Sequence, residues 1–369
     1  MRIVGSLVAL SLCLPFSPAL AAPVEPQSNG MYLFDDSHFH LTNYIQQGLT
    51  AREYVRMMAG TVKRSTLFGI PLQQSWIYFN SGDFAPTYYL HSDSSLYYYS
   101  FTDAVIASEY LSLPAKDRAR LDPMITGFNP ADMYAVDHIK RVLKMYPGVF
   151  SGIGEFTIHK EFVSGKIAGE TATLFNPALD RILDFAGEAG LVVIFHCDID
   201  VPFSKGNALP VYFQQMRDVL ARHPRTTIIW AHTGLGRIVR PAVQATADSA
   251  TRPPTHLQLI ETILSDPKYN HVYFDISWDE LAKYAVSSPE TINRTAALFD
   301  KYPDRFLFGS DNVAPKNIDA NVKVFRLWNP IWAKVRPETR QKIAFSNYER
   351  LFDAARLQVR HWERAHAGE

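Results

Sequence analysis

Six residues of metal-ligand type lie far apart in this sequence but in equivalent local settings. Asp36-Ser37-His38-Phe39-His40 follows the apolar run Tyr32-Leu33-Phe34. Val149-Phe150 leads through Ser151-Gly152-Ile153-Gly154 to Glu155. Leu191 to Phe195 ends at His196, Thr227 to Ala231 at His232, and Arg305 to Ser310 at Asp311. A sixth run, Val272-Tyr273-Phe274, ends at Asp275. Residues i and i+2 of an extended strand face the same side, so His38 and His40 can grip one ion. Singly these residues say little: an H-x-H pair arises easily by chance, and a histidine at a strand end is commonly a hydrogen-bonded core residue. Together, ligand-type residues closing one apolar run after another read as a shared metal site.

The runs themselves are short, rich in β-branched and aromatic residues, and unbroken by polar positions, as in parallel strands buried on both faces. Thr66 to Ile70 and Pro123 to Phe128 bring the expected strands to eight. Amphipathic helices are expected between them. Thr50 caps one over Ala51 to Lys63, with Glu53 at the capping-box position. Asn176-Pro177 opens another that ends near Gly190, and Pro210 to His223 forms a third, stopped by Pro224. Strand–helix alternation of this length predicts an α/β fold, a (β/α)₈ TIM barrel, in which the C-terminal strand ends converge on one mouth. An open doubly wound sheet is the alternative, but no Gly-rich dinucleotide loop follows the first strand.

Asp36-Ser37-His38-Phe39-His40, the later His196 and His232, and Gly309-Ser310-Asp311 resemble the amidohydrolase superfamily in its amidohydrolase-related branch. Asn347-Tyr348-Glu349-Arg350-Leu351-Phe352 is similar to that branch's N-x-x-R-L-F ending, so the resemblance runs from about Leu33 to Phe352. It implies a metal-dependent barrel in which His38, His40, His196 and Asp311 bind the buried metal. His232 would bind a second ion or contact substrate, and Glu155 stands where binuclear members place a bridging carboxylate or carboxylated lysine. Glu155 would otherwise be a rim residue paired with Lys160 or an arginine. The function implied is hydrolysis by a metal-activated water of an amide, lactone, ester or phosphoester in a small-molecule substrate. Asp311 would move the proton and His232 steady the oxyanion. Zn²⁺ suits the ligands first, with Mn²⁺ and Fe²⁺ also compatible, as one or two ions. The alternatives are a mononuclear decarboxylase of an aromatic or unsaturated carboxylic acid, and a non-catalytic ligand-binding barrel.

Residues 73–121 form an aromatic-rich insertion after the second strand, read as a substrate wall or lid, or equally as a satellite core or dimer contact. Cys197 should point to the opposite face from His196 and serve packing. Asp275 is expected to be structural or to orient a ligand. Arg237 is a candidate for a substrate anion or a solvated helix face, and His159, His223, His256, His361 and His366 are expected at the surface.

Lys+Arg and Asp+Glu are both 37 in 369 residues, so the net charge is zero, which argues against a nucleic-acid partner. With 47% hydrophobic and 20% charged residues the chain has ample core material. Met1-Arg2, the apolar Ile3 to Leu14 and Ala19-Leu20-Ala21 have the pattern of a signal peptide over 1–21, leaving one domain over 22–369. Export to a bacterial periplasm is expected, with no stable membrane insertion. Cys197 would then be the sole cysteine of the mature chain, and a homodimer is the assembly such barrels often form.

Overall fold

The computed structural model of the chain describes residues 32–43, 48–72, 75–76, 90–91, 98, 101–160, 167, 172–201, 209–236 and 254–368. The expected signal peptide and Arg237 lie outside them. Eight strands form one sheet: β1 (Phe34–Asp36), β2 (Val62–Leu67), β5 (Leu121–Ile125), β6 (Gly152–His159), β7 (Val192–Cys197), β8 (Ile228–Trp230), β9 (Val272–Asp275) and β10 (Phe306–Leu307). Each is parallel to its neighbour, and their spatial order is their chain order. The first and last strands close on each other just beyond β1 and β10. Ser37 N donates to Phe308 O at 3.0 Å, and Phe39 bridges Asn312 in parallel. The result is the expected (β/α)₈ barrel.

Alternation along β7 shows how the strands divide their faces. Val192 and Ile194 pack inside the barrel with Met124, Ile229, Ala231 and Leu307, whereas Val193, Phe195 and Cys197 pack against the outer helices. His196 therefore points inward and Cys197 outward, where its thiol is fully buried. The chain's last long helix, Asn347–Ala365, closes the lower end of the barrel. Leu351 and Phe352 join the inner cluster, Tyr348 Oη donates to Asp122, and Asn347 Nδ2 donates to the Phe306 and Pro303 carbonyls. The N-x-x-R-L-F ending is thus a plug that anchors the start of the last strand.

The helices follow their sequence signals at the N-termini. The Thr50–Glu53 capping box is formed, and Asn176 caps Pro177–Ala189, which ends on left-handed Gly190. The first helix stops at Met58, five residues before the expected Lys63, because Val62 onward pairs with β1 as a strand. The insertion is also narrower than 73–121. Thr102–Leu111 is a helix packed against β5 and the first helix, followed by the short helical turn Ala115–Arg118. Within the remainder, β3 (Ser75–Trp76) and β4 (Leu90–His91) form a separate parallel pair. Most of its aromatic residues lie outside the described residues. Among the described residues no helix is long and apolar enough to cross a membrane.

Candidate metal centre

The H-x-H pair sits where β1 meets the last strand. His38 is fully buried, and its Nδ1 donates to Asp275 Oδ2 at 2.8 Å. His40 Nδ1 donates to the Gly69 carbonyl at 3.0 Å. On the opposite wall, His232 Nδ1 lies 2.7 Å from Ser277 Oγ, and His196 Nε2 lies 2.8 Å from Asp198 Oδ1. Each ring thus has one nitrogen held by the protein, which leaves the other nitrogen's lone pair for the centre. The nitrogen facing the centre is Nε2 in His38, His40 and His232, and Nδ1 in His196, which lies 3.2 Å from Glu155 Oε1.

All four face Glu155. Its Oε2 is 3.7 Å from His38 Nε2 and 3.6 Å from His40 Nε2. Its Oε1 is 3.2 Å from His196 Nδ1 and 3.4 Å from His232 Nε2. Asp311 Oδ1 completes the first group, 3.4 Å from both His38 Nε2 and His40 Nε2. Most of these gaps are too long for hydrogen bonds. They match the separation of roughly 3.4 Å between ligands held about 2.1 Å from a tetrahedral ion. His38 Nε2 is buried with no hydrogen-bond partner, the state of a ligand atom awaiting an ion. Imidazole nitrogen with carboxylate oxygen is also the donor set that Zn²⁺ and Mn²⁺ accept. The residues therefore fit a divalent metal. The six expected residues fall into overlapping groups, among them His38–His40–Glu155, His38–His232–Asp311 and Glu155–His196–His232. His196 lies in the group with Glu155 and His232, whereas the resemblance implies that it shares an ion with His38, His40 and Asp311.

Local backbone is bent to make this convergence. His232, Thr233, Trp278 and Asp311 all have left-handed φ, at 53°, 54°, 77° and 53°, which costs about 1–3 kcal/mol each unless the surroundings impose it. Asp275 Oδ1 accepts the His232 N–H at 2.8 Å, His256 Nε2 donates to Thr233 O at 3.0 Å, and Asp311 N donates to His38 O at 2.8 Å. Asp36 ties β1 to the last strand: its Oδ1 accepts from His38 N and Ser310 N, and its Oδ2 from Ser310 Oγ at 2.6 Å. Gly309 must be glycine here, since a Cβ would sit 2.7 Å from His38 Cβ and 2.9 Å from Ser277 Cβ.

The electrostatics are those of a buried anionic cluster. Burial alone would raise Glu155, but Lys160, His38 and the other imidazoles outweigh it and hold its carboxyl well below the usual range. Burial of Asp311 is likewise overcome by the neighbouring imidazoles of His40, His38 and His232, which hold its carboxyl below the usual range. Burial disfavours charge on His38, yet Asp275 and Glu155 keep its pKa well above the ordinary value. His232 moves the other way, lowered chiefly by burial. Three ionised carboxylates, Glu155, Asp275 and Asp311, thus share one pocket, which favours a bound cation.

Sequence reasoning missed Asp36, Asp198 and Ser277. Asp36 and Asp198 flank ligands by two residues, and Ser277 lies two beyond Asp275, so a same-face rule applied around each ligand finds them. The expectation of surface histidines fails at His223, buried between Asp180 and Asp184, and at His256, buried against Thr233. Burial pulls His256 down to about 4. His159 is half-buried and stacked on Tyr212.

A family model described as amidohydrolase matches residues 160–354, more than half of the chain. The chain belongs to the amidohydrolase family. The matched span of this amidohydrolase holds His196, His232 and Asp311; His38, His40 and Glu155 precede it and join the centre through the fold. A search of curated proteins finds no match. Among solved structures, a dihydroorotase from Campylobacter jejuni is 15% identical, covering 89% of this chain and 86% of its own, at a TM-score of 0.49. A putative 2-pyrone-4,6-dicarboxylic acid hydrolase from Pseudomonas putida is 14% identical, with coverage of 87% and 98% and a TM-score of 0.47. A dihydroxybenzoic acid decarboxylase from Polaromonas sp. JS666, with bound manganese, is also 14% identical, with coverage of 87% and 97% and a TM-score of 0.47.

Proposed function

We propose that this amidohydrolase is a binuclear metal-dependent hydrolase of a small-molecule amide, lactone, ester or phosphoester. One observation carries the reading: the two oxygens of Glu155 face two different ligand groups. Oε2 addresses His38 and His40, which Asp311 also approaches, while Oε1 addresses His196 and His232. His38, His40, Asp311 and Glu155 would hold one ion, and His196, His232 and Glu155 a second, with Zn²⁺ the best match to the donors.

A bound divalent ion supplies Lewis acidity and makes hydroxide available near neutral pH by lowering the pKa of water from 15.7 to about 7. The protein's own groups do the rest. Asp311 is the most exposed of the carboxylates around the centre, with 19% of its side chain accessible against 6% for Glu155. It is ionised, so it can accept a proton from the attacking water and pass it to the leaving group. His232 has its Nδ1–H fixed toward Ser277, which keeps its Nε2 free of a proton and directed into the site. Glu155 and Asp275 stay ionised and set the charge of the pocket.

Metal analysis and a panel of lactones, N-acyl amino acids and phosphoesters test the reading together. Turnover on a panel member, lost in folded His38→Ala and Asp311→Asn, supports it. One ion per chain with CO₂ release from aromatic acids would replace it with the decarboxylase. Export would be tested by N-terminal sequencing of secreted protein, expected to begin at Ala22.

A further inference from the structure

We infer that Ser277 is a positioning residue that sets the affinity of the second metal position by relaying the Asp275 carboxylate to His232. The inference rests on the two-ion reading above.

Asp275 is fully buried and serves both walls of the centre. Its Oδ2 accepts the Nδ1–H of His38 directly. It cannot do the same for His232, whose Nδ1 lies 3.9 Å from Oδ1, beyond hydrogen-bond range. Ser277 Oγ fills that gap. It donates to Asp275 Oδ1 at 2.5 Å and lies 2.7 Å from His232 Nδ1; His38 Nδ1 is farther, at 3.3 Å, and already has Asp275 Oδ2 at 2.8 Å. A hydroxyl has one proton to give. With that proton committed to the carboxylate, Ser277 can only accept from His232, which places the imidazole proton on Nδ1. The Nε2 lone pair then faces Glu155 Oε1, 3.4 Å away. One carboxylate thus prepares a histidine for each ion, His38 by contact and His232 through a single hydroxyl.

The relay is built rather than incidental. Ser277 is buried, its N–H also leans toward Asp275, and Gly309 leaves the room its Cβ needs. Without the hydroxyl, His232 loses the acceptor that fixes its tautomer. A proton on Nε2 would then point into the site in place of a lone pair. Asp275 would still hold His38 and the His232 backbone N–H, so the first position should be spared.

The test is calorimetric titration of metal-free protein with Zn²⁺ or Co²⁺, comparing wild type with Ser277→Ala. The expected result is a second ion bound roughly 10–100-fold more weakly, with the first ion's affinity changed far less, since His38 keeps its shorter bond to Asp275. The first ion also reports that the variant is folded. If Ser277→Ala does not fold, Ser277→Cys, similar in size but a poor acceptor, carries the same comparison. Equal weakening of both ions, or no weakening of either, overturns the role of Ser277. A wild-type chain that takes only one ion overturns the two-ion reading instead.

Discussion

A single methyl group at position 309 should disable the centre. Gly309 lies against Ser37, His38 and Ser277, and its Cβ would fall 2.7 Å from His38 Cβ, 2.9 Å from Ser277 Cβ and 3.0 Å from Ser37 Oγ. Ordinary carbon contacts are about 3.5–4.0 Å, so His38 or the strand must retreat by roughly 0.8 Å or more. Two of the obstructing atoms are Cβ atoms fixed to backbone, which cannot swing aside. Overpacking of this kind costs about 1–3 kcal/mol. Ligand distances in a metal site hold to about 0.2 Å, so the displacement should damage metal binding more than folding. Gly309→Ala should therefore lower the thermal midpoint of metal-free protein by about 2–12 °C, on the scale of about 2–4 °C per kcal/mol for large domains. Metal affinity should drop by about tenfold or more, as when a supporting residue of a ligand is lost. Melting curves with and without Zn²⁺, beside a metal titration, measure both. A Gly309→Ala protein with wild-type metal affinity would show that His38 is not held where the account places it.

Two further outcomes are expected. Glu155→Gln keeps the side chain's shape but leaves one oxygen beside an NH₂ group that cannot coordinate, so, on the two-ion proposal, the variant should retain one ion where two are expected of the wild type. Asp35 is fully buried, with Oδ2 unpartnered, and its pKa is pushed up to about 8, first by burial and then by Glu349. A raised folded-state pKa means that its contribution to stability is present below the ordinary value of 3.8 and is lost as pH rises toward 8. Asp35→Asn should thus gain stability relative to wild type progressively across that window, read as a difference of denaturation midpoints. A difference that stays flat with pH contradicts this assignment.

Much of the fold was legible because parallel strands buried on both faces must be written as unbroken apolar runs. Each of the eight runs overlaps or leads directly into a strand, and the six ligand-type residues that follow them meet at one mouth. The H-x-H spacing worked for the same reason: the period of an extended chain put His38 and His40 on one side. What escaped the sequence is set by tertiary partners. The first helix looked longer because Thr61 to Lys63 continues its pattern, yet pairing of Val62 with Phe34 takes those residues into β2. β6 runs on past Glu155 to His159 because Thr157 and His159 find partners at His196 and Cys197. His223 and His256 are isolated in sequence, and only folding supplies the Asp180, Asp184 and Thr233 groups that make their burial tolerable. Ser277 and Asp198 stand out in the sequence only by their two-residue spacing from Asp275 and His196. The assignment of His196 to the Glu155–His232 group also needed coordinates, since spacing along the chain cannot say which oxygen of Glu155 a ring will face.

The most direct measurement is elemental analysis of purified protein after equilibration with Zn²⁺ and removal of free metal. The account predicts about two divalent ions per chain, held by imidazole and carboxylate ligands. A correctly folded chain that retains one ion would contradict the two-ion reading, and one that retains none would contradict the metal centre itself.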